Sequence, residues 1–145
     1  MTVVTTRSRI ETVELGQTFA ANLTPGDVVA LLGDLGSGKT QFVTGICEGL
    51  QVSGHVASPT FTMIHEYAAP WGTVAHVDLY RIRSRAEIAE LGIEEYFNDR
   101  CVCLIEWADA ALDLLPQHYY IVRMECGADE NERRITIHES QEAPA

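Results

Sequence analysis

Two short stretches of the chain are apolar at every position: 28–32 (Val-Val-Ala-Leu-Leu) and 101–105 (Cys-Val-Cys-Leu-Ile). Runs of this length with no polar side suit strands covered on both faces, as at the centre of a parallel sheet. Around them the pattern changes to helical spacing. Ser8-Arg9-Ile10-Glu11 has the form of a capping box, and Ile10, Val13, Phe19, Ala20 and Leu23 recur behind it at roughly helical intervals. This predicts a first helix that stops before Thr24-Pro25-Gly26-Asp27, a strong turn signal. A second helix is expected over 39–50, and strands at 60–67 and 73–79 flank the turn Ala69-Pro70-Trp71-Gly72. Ser84-Arg85-Ala86-Glu87 opens a third capped helix that closes near Gly92, with 93–97 as a further short turn. Residues 108–115 form a short helix halted by Pro116. Segments 118–126 and 133–138 read as a hairpin across 127–131.

Strands alternating with helices predict an α/β sandwich whose sheet is parallel at its centre, with the late hairpin making it mixed at one edge. The 145 residues accommodate one domain, expected over 1–138, followed by a loose acidic tail at 139–145. No apolar run approaches the roughly 20 residues of a membrane-spanning helix. The N-terminus lacks the basic-then-apolar order of a signal peptide, so the cytoplasm is the expected location. Cys47, Cys101, Cys103 and Cys126 contain no CxxC pair and no histidine at zinc spacing. Cys101 and Cys103 share one face of their strand, where buried reduced thiols stand against a metal pair or redox switch.

The net charge of −11 disfavours direct contact with nucleic-acid backbones, which attract Lys and Arg. Among ten basic residues, Lys39 is the only lysine. A chain that otherwise uses arginine places a compact ammonium at this one position, and the two side chains are not interchangeable.

Lys39 belongs to Gly33-Asp34-Leu35-Gly36-Ser37-Gly38-Lys39-Thr40, which fits GxxxxGK[ST] and lies between an apolar strand and a helical pattern. Glycines there let successive N–H groups turn toward phosphate oxygens, and the following helix aims its positive end at the same anion. Lys39 would reach the β- and γ-phosphates and Thr40 would take one position on magnesium. The other reading is a glycine turn before a surface helix. With this loop the fold becomes P-loop NTPase-like, a three-layer sandwich, and Gln41 continues the phosphate-facing segment.

Such a loop needs an acidic partner for the metal at the end of a neighbouring buried strand. Glu106 stands there, after Val102-Cys103-Leu104-Ile105, as a magnesium ligand or as a glutamate facing solvent. In His76-Val77-Asp78-Leu79-Tyr80-Arg81, Asp78 suits an attacking water or a magnesium-bound one, and Arg81 suits the charge of a transferred phosphoryl group. An ion pair near a helix start is the alternative for both. Ser58-Pro59-Thr60-Phe61 lies where many P-loop proteins keep a segment that senses the γ-phosphate. Thr60 can donate there, or the segment is a plain proline turn. His55, His65, His118 and His138 have no partner spacing and are expected on the surface or at strand edges.

The four segments 33–40, 58–61, 76–81 and Leu104-Ile105-Glu106-Trp107, in this order, resemble the TsaE (YjeE) family. These are P-loop ATPases of bacterial tRNA threonylcarbamoyladenosine biosynthesis, and the resemblance extends over nearly the whole chain. It implies ATP binding with Thr40 and Glu106 at magnesium, and Asp78 needed for hydrolysis. It also implies partnership with TsaD and TsaB, the complex that modifies tRNAs reading codons beginning with A, with tRNA met only through that complex. The ATPase would reset the complex between turnovers. An adenine contact near Glu11 or Thr12 is a further implication. Gln41 stands where members often carry Thr or Ser, and Ser37 where Ala is frequent; neither change removes a group assigned to phosphate or metal.

Two other classes fit parts of the pattern. A small-molecule or nucleoside kinase would use Asp78 as base toward an acceptor hydroxyl, but the sequence has no arginine-rich lid and leaves little chain for an acceptor pocket. A GTP-dependent switch would resemble others in an Asn-Lys-x-Asp segment, which a chain with one lysine, already in the loop, lacks. The acidic positions Glu87, Glu90, Glu94, Glu95 and Asp99 read as a docking face or a solvated helix face.

Overall fold

A computed structural model of the chain describes residues 1–34, 36–54 and 63–140. Among the described residues, seven strands form one sheet in the order β1-β7-β6-β2-β5-β4-β3. The strands are β1 (Thr2–Thr6), β2 (Val28–Leu32), β3 (Ile64–Ala69), β4 (Gly72–Asp78), β5 (Cys101–Glu106), β6 (Tyr120–Cys126) and β7 (Arg133–Glu139). The helices are α1 (Arg9–Ala20), α2 (Lys39–Gly49) and α3 (Arg85–Leu91), with 3-10 segments at Ile93–Tyr96 and Ala108–Leu114.

The two fully apolar runs are the central strands. β2 lies parallel to both β5 and β6, and β4 lies parallel to β5 on the far side. Each is covered on both faces. Val29, Leu31, Val102 and Leu104 pack with Phe19, Phe42 and Ile46 of α1 and α2. Val28, Ala30, Leu32, Cys103 and Ile105 point the other way, toward Ile88 of α3 and Ile93. The alternation along each strand therefore supplies two cores and three layers. Cys101 and Cys103 lie together in the second core as free thiols, as expected.

The expected antiparallel hairpin is present, β6 with β7. The sheet is also antiparallel at its other edge, where β3 pairs with β4, and β1 extends the first edge by pairing antiparallel to β7. The sequence reading contains no β1: Thr-Val-Val-Thr-Thr is exposed along most of its length and has no apolar face to betray it. β7 takes in Glu139, the first residue of the expected tail, and the Ser140 N–H donates to the Tyr119 carbonyl at 2.8 Å.

Both capping boxes form. The Ser8 hydroxyl accepts from the Glu11 N–H at 3.1 Å while the Glu11 carboxylate accepts from the Arg7 N–H at 2.8 Å. Ser84 and Glu87 do the same for α3, which ends at Gly92 in the left-handed region. The inward face of α1 carries Phe19 and Ala20 as read, with Leu23 buried just beyond it, but differs in its first turns. Ile10 is 70% exposed, and the buried positions are Thr12, Gly16, Phe19 and Ala20. Small residues carry this face because α1 and α2 pack backbone to backbone: a Cβ on Gly45 would lie 2.0 Å from the Val13 carbonyl oxygen.

Candidate functional site

The site is built where the parallel strands end. After Leu32 the chain turns sharply at Gly33 (φ +151°), where a Cβ would sit 2.4 Å from the Met124 carbonyl oxygen of β6, so only glycine fits. The Ser37 N–H then donates to the Asp34 carbonyl at 3.1 Å, closing the loop. Gly38 caps α2 from the left-handed region (φ 95°), with no side-chain cap hydrogen bond among the described residues. Those amides and the helix dipole are left for an anion.

A cleft of about 270 Å³ opens over this loop. Asp34, Gly36, Ser37, Gly38, Lys39, Thr40 and Gln41 line one side, and Asp78, Tyr80, Glu106 and Trp107 line the other. Register explains the second group. Asp78 of β4 pairs with Glu106 of β5, and Leu31 of β2 pairs with the same Glu106, so the strand ends bring both carboxylates to the loop.

Lys39 is folded back over its own loop. Its ammonium donates to the Gly33 carbonyl, lies 3.4 Å from the Asp34 carbonyl oxygen, and sits 3.7 Å from the centre of the Trp107 ring. Burial lowers its pKa, against the pull of Glu106, Asp78, Asp34 and Asp109. Asp78 and Glu106 are both buried, and the Asp78 carboxylate accepts from the Tyr80 N–H at 2.8 Å. Glu106 is 3% exposed, so it is not the solvent-facing glutamate of the alternative reading. Its carboxylate takes a hydrogen bond of 2.5 Å from His76 on β4.

The donor set suits magnesium. Thr40, Glu106 and Asp78 offer hard oxygens, and no group of three or more His, Cys, Asp or Glu side chains forms a metal cage among the described residues. Magnesium characteristically takes one or two carboxylates and completes its shell with water and substrate phosphates. The charge balance points the same way. Lys39 is the only cation among the described residues that line the cleft, facing Asp34, Asp78 and Glu106, so the lining carries a net negative charge that a divalent ion would offset.

Not every expected residue arrives. Arg81 is exposed on the turn after β4, where the Ile82 N–H bonds back to the Leu79 carbonyl at 3.0 Å, and it does not line the cleft. Thr12 is 2% exposed, and its hydroxyl is engaged with Thr6 (2.7 Å) and the Ser8 carbonyl (3.3 Å) at the joint of β1 and α1. Leu35, Thr60 and the whole 58–61 segment lie outside the described residues. Conversely, the sequence reading gave no role to Trp107, which covers Lys39, or to His76. The signal for His76 was its place two residues before Asp78, on the same face of an otherwise buried strand.

A second cavity of about 530 Å³ adjoins the cleft behind Asp34, Tyr80 and Trp107, reaching Asp109, Arg123 and Glu125. The chain therefore has more room beside the cleft than its length suggested.

Residues 6–135 match the family model described as Threonylcarbamoyl adenosine biosynthesis protein TsaE. The tRNA threonylcarbamoyladenosine biosynthesis protein TsaE of Bacillus subtilis (strain 168) is 44% identical over 127 residues, which span 87% of this chain and 79% of that protein. Its namesake from Rickettsia prowazekii (strain Madrid E) is 39% identical over 135 residues, 92% of each chain. The crystal structure of YdiB from Bacillus subtilis superposes with a TM-score of 0.79 at 37% identity, over 94% of this chain and 83% of that one.

Proposed function

The chain belongs to the TsaE family of tRNA threonylcarbamoyladenosine biosynthesis proteins, and from that we propose that it is the magnesium-dependent ATPase subunit of this pathway. The observation that carries the proposal is the convergence of Lys39 and Thr40 from the loop with Asp78 and Glu106 from the strand ends on one cleft. Loop amides and the start of α2 hold the phosphates. Lys39 leaves the Gly33 and Asp34 carbonyls for the β- and γ-phosphate oxygens. Thr40 and Glu106 would hold magnesium, which supplies positive charge against the phosphate oxygens. Asp78 orients the attacking water or takes its proton. The γ-phosphoryl group passes from ATP to water, giving ADP and phosphate, with no other acceptor.

With Lys39 as the only cation among the described lining residues, hydrolysis by the isolated chain is expected to be slow. A cation supplied from outside accelerates comparable reactions about 10³–10⁵-fold. This supports a role as an accessory subunit that turns over with protein partners, TsaD and TsaB, and resets their complex. The acidic chain would meet tRNA only through them.

Phosphate release without any acceptor tests the reading: slow turnover that rises on adding TsaD and TsaB is expected. Asp78→Ala should keep ATP binding and lose turnover, and normal hydrolysis would remove Asp78 from the mechanism. Depleting the protein should lower threonylcarbamoyladenosine in tRNA, measured by mass spectrometry. The adjoining 530 Å³ cavity favours one second reading, a kinase with Asp78 as base. Turnover that requires an added hydroxyl acceptor would support it instead.

A further inference from the structure

Glu106 is nearly as buried as the apolar residues around it, yet it ends in a carboxyl group on three rotatable side-chain bonds. Such a carboxylate needs a partner that compensates its lost hydration and fixes its direction. Among the described residues its carboxylate has one hydrogen-bond partner, the His76 Nε2 at 2.5 Å on Oε2. His76 is itself 0% exposed. It lies on the face of β4 that carries Val74 and Asp78, diagonal to Glu106 across the parallel pair in which His76 registers with Leu104 and Asp78 with Glu106. The other ring nitrogen, Nδ1, is buried with no partner among the described residues. A doubly protonated ring would bury an unpaired N–H there. The neutral tautomer with its proton on Nε2 leaves only an unfilled lone pair, so His76 donates and Glu106 accepts.

From this arrangement we propose that His76 is a positioning residue for the cation site: it claims one oxygen of Glu106 and turns the other toward the phosphate cleft. The inference rests on the magnesium reading of Glu106 and deepens it. His76 touches neither nucleotide nor metal. Removing its N–H frees the carboxylate to rotate and weakens its hold on the ion, while the loop that grips the phosphates stays as it is. Loss of a hydrogen bond behind a metal ligand typically weakens metal affinity about 10–100-fold.

The test is the magnesium dependence of binding of an ATP analogue labelled on its ribose, read by fluorescence, in the parent and in His76→Leu, His76→Asn, His76→Gln and Glu106→Gln. In His76→Leu the half-saturating magnesium concentration should rise at least about tenfold, with affinity in magnesium-free buffer within twofold of the parent. Gln places an amide nitrogen near the Nε2 position and should restore most of the loss. Asn places it near Nδ1, out of reach of Glu106, and should behave like Leu. If the apolar variant does not fold, the Gln and Asn pair decides alone. Unchanged magnesium dependence in a folded His76→Leu or His76→Asn overturns the proposal, as does an equal shift in the Gln and Asn variants, which would mark a packing effect. If Glu106→Gln is also unchanged, the magnesium role of Glu106 falls and the proposal falls with it. A shift in Glu106→Gln alone refutes only His76.

Discussion

Gly45→Ala sets local preference against packing, and the two give opposite signs. Gly45 lies inside α2, where alanine is favoured over glycine by about 0.8–1.0 kcal/mol. The structure opposes the change. The new Cβ would stand 2.0 Å from the Val13 carbonyl oxygen and 3.0 Å from the Gly16 Cα, where ordinary contact begins at 3.4 Å. The obstruction is backbone, so no rotamer relieves it and α1 must move off α2 by more than an ångström. That movement loosens the Phe19–Phe42 contact, whose ring centres are 5.7 Å apart. Over-packing of this kind costs about 1–3 kcal/mol, and a backbone clash belongs at the upper end. Net destabilisation should therefore be about 2 kcal/mol, a fall in urea midpoint of about 1 M for a slope near 2 kcal/mol/M. Gly16→Ala meets the Phe42 carbonyl at 2.3 Å and asks for the same separation, so the double variant should cost less than the two single variants combined. Equilibrium urea unfolding followed by circular dichroism checks both. A Gly45→Ala protein as stable as the parent, or more stable, would refute the backbone-to-backbone packing of these helices.

Lys39→Met should abolish the thermal shift given by ATP and magnesium while leaving the ligand-free protein at least as stable as the parent. Burial disfavours the ammonium more than the surrounding carboxylates favour it, so a clear drop in the melting temperature of the free protein would reverse that balance. Ser37 is 1% exposed and its hydroxyl has no partner among the described residues, so Ser37→Ala should be neutral or stabilising by up to about 1 kcal/mol with unchanged ATP affinity. Weaker ATP binding would instead assign that hydroxyl to a phosphate. Burial raises the Cys47 thiol from 9.0 to about 12 and pushes Cys103 up as well. Unfolded thiols ionise first, so stability should be intact below pH 9 and fall above it, by up to 1.36 kcal/mol per pH unit for each thiol until the folded thiol also ionises. Urea midpoints between pH 8 and 10.5 should show this slope, and Cys47→Ala with Cys103→Ala should flatten it.

The parts legible in the sequence were those whose physics is local or total. Val28–Leu32 and Cys101–Glu106 announced themselves because burial on both faces forbids any polar side chain until the last position. The turn between β2 and α2 was legible because its glycines mark backbone that other residues avoid: Gly33, Gly36 and Gly38 all take positive φ. The capping boxes are sequence-local, and both formed as read. The face of α1 was read correctly at Phe19, Ala20 and Leu23 but not at its start, because close helix packing buries Thr12 and Gly16 and leaves Ile10 outside. β1 was missed because an exposed edge strand needs no apolar pattern. The link from His76 to Glu106 depends on which two strands lie side by side, and nothing within either strand states that.

The stacking of Lys39 on Trp107 bears on what happens when a ligand departs. A lysine left bare in a buried acidic cleft would hold on to any anion that offered it a partner. Here the ammonium has an alternative address, two loop carbonyls and an indole face, so binding is an exchange of partners. For the proposed phosphate ligand, that competition would weaken the grip and speed escape. The same address also gives the ammonium a fixed resting place when no anion is bound. In the proposed ATPase cycle, Trp107 would trade some affinity for faster product release.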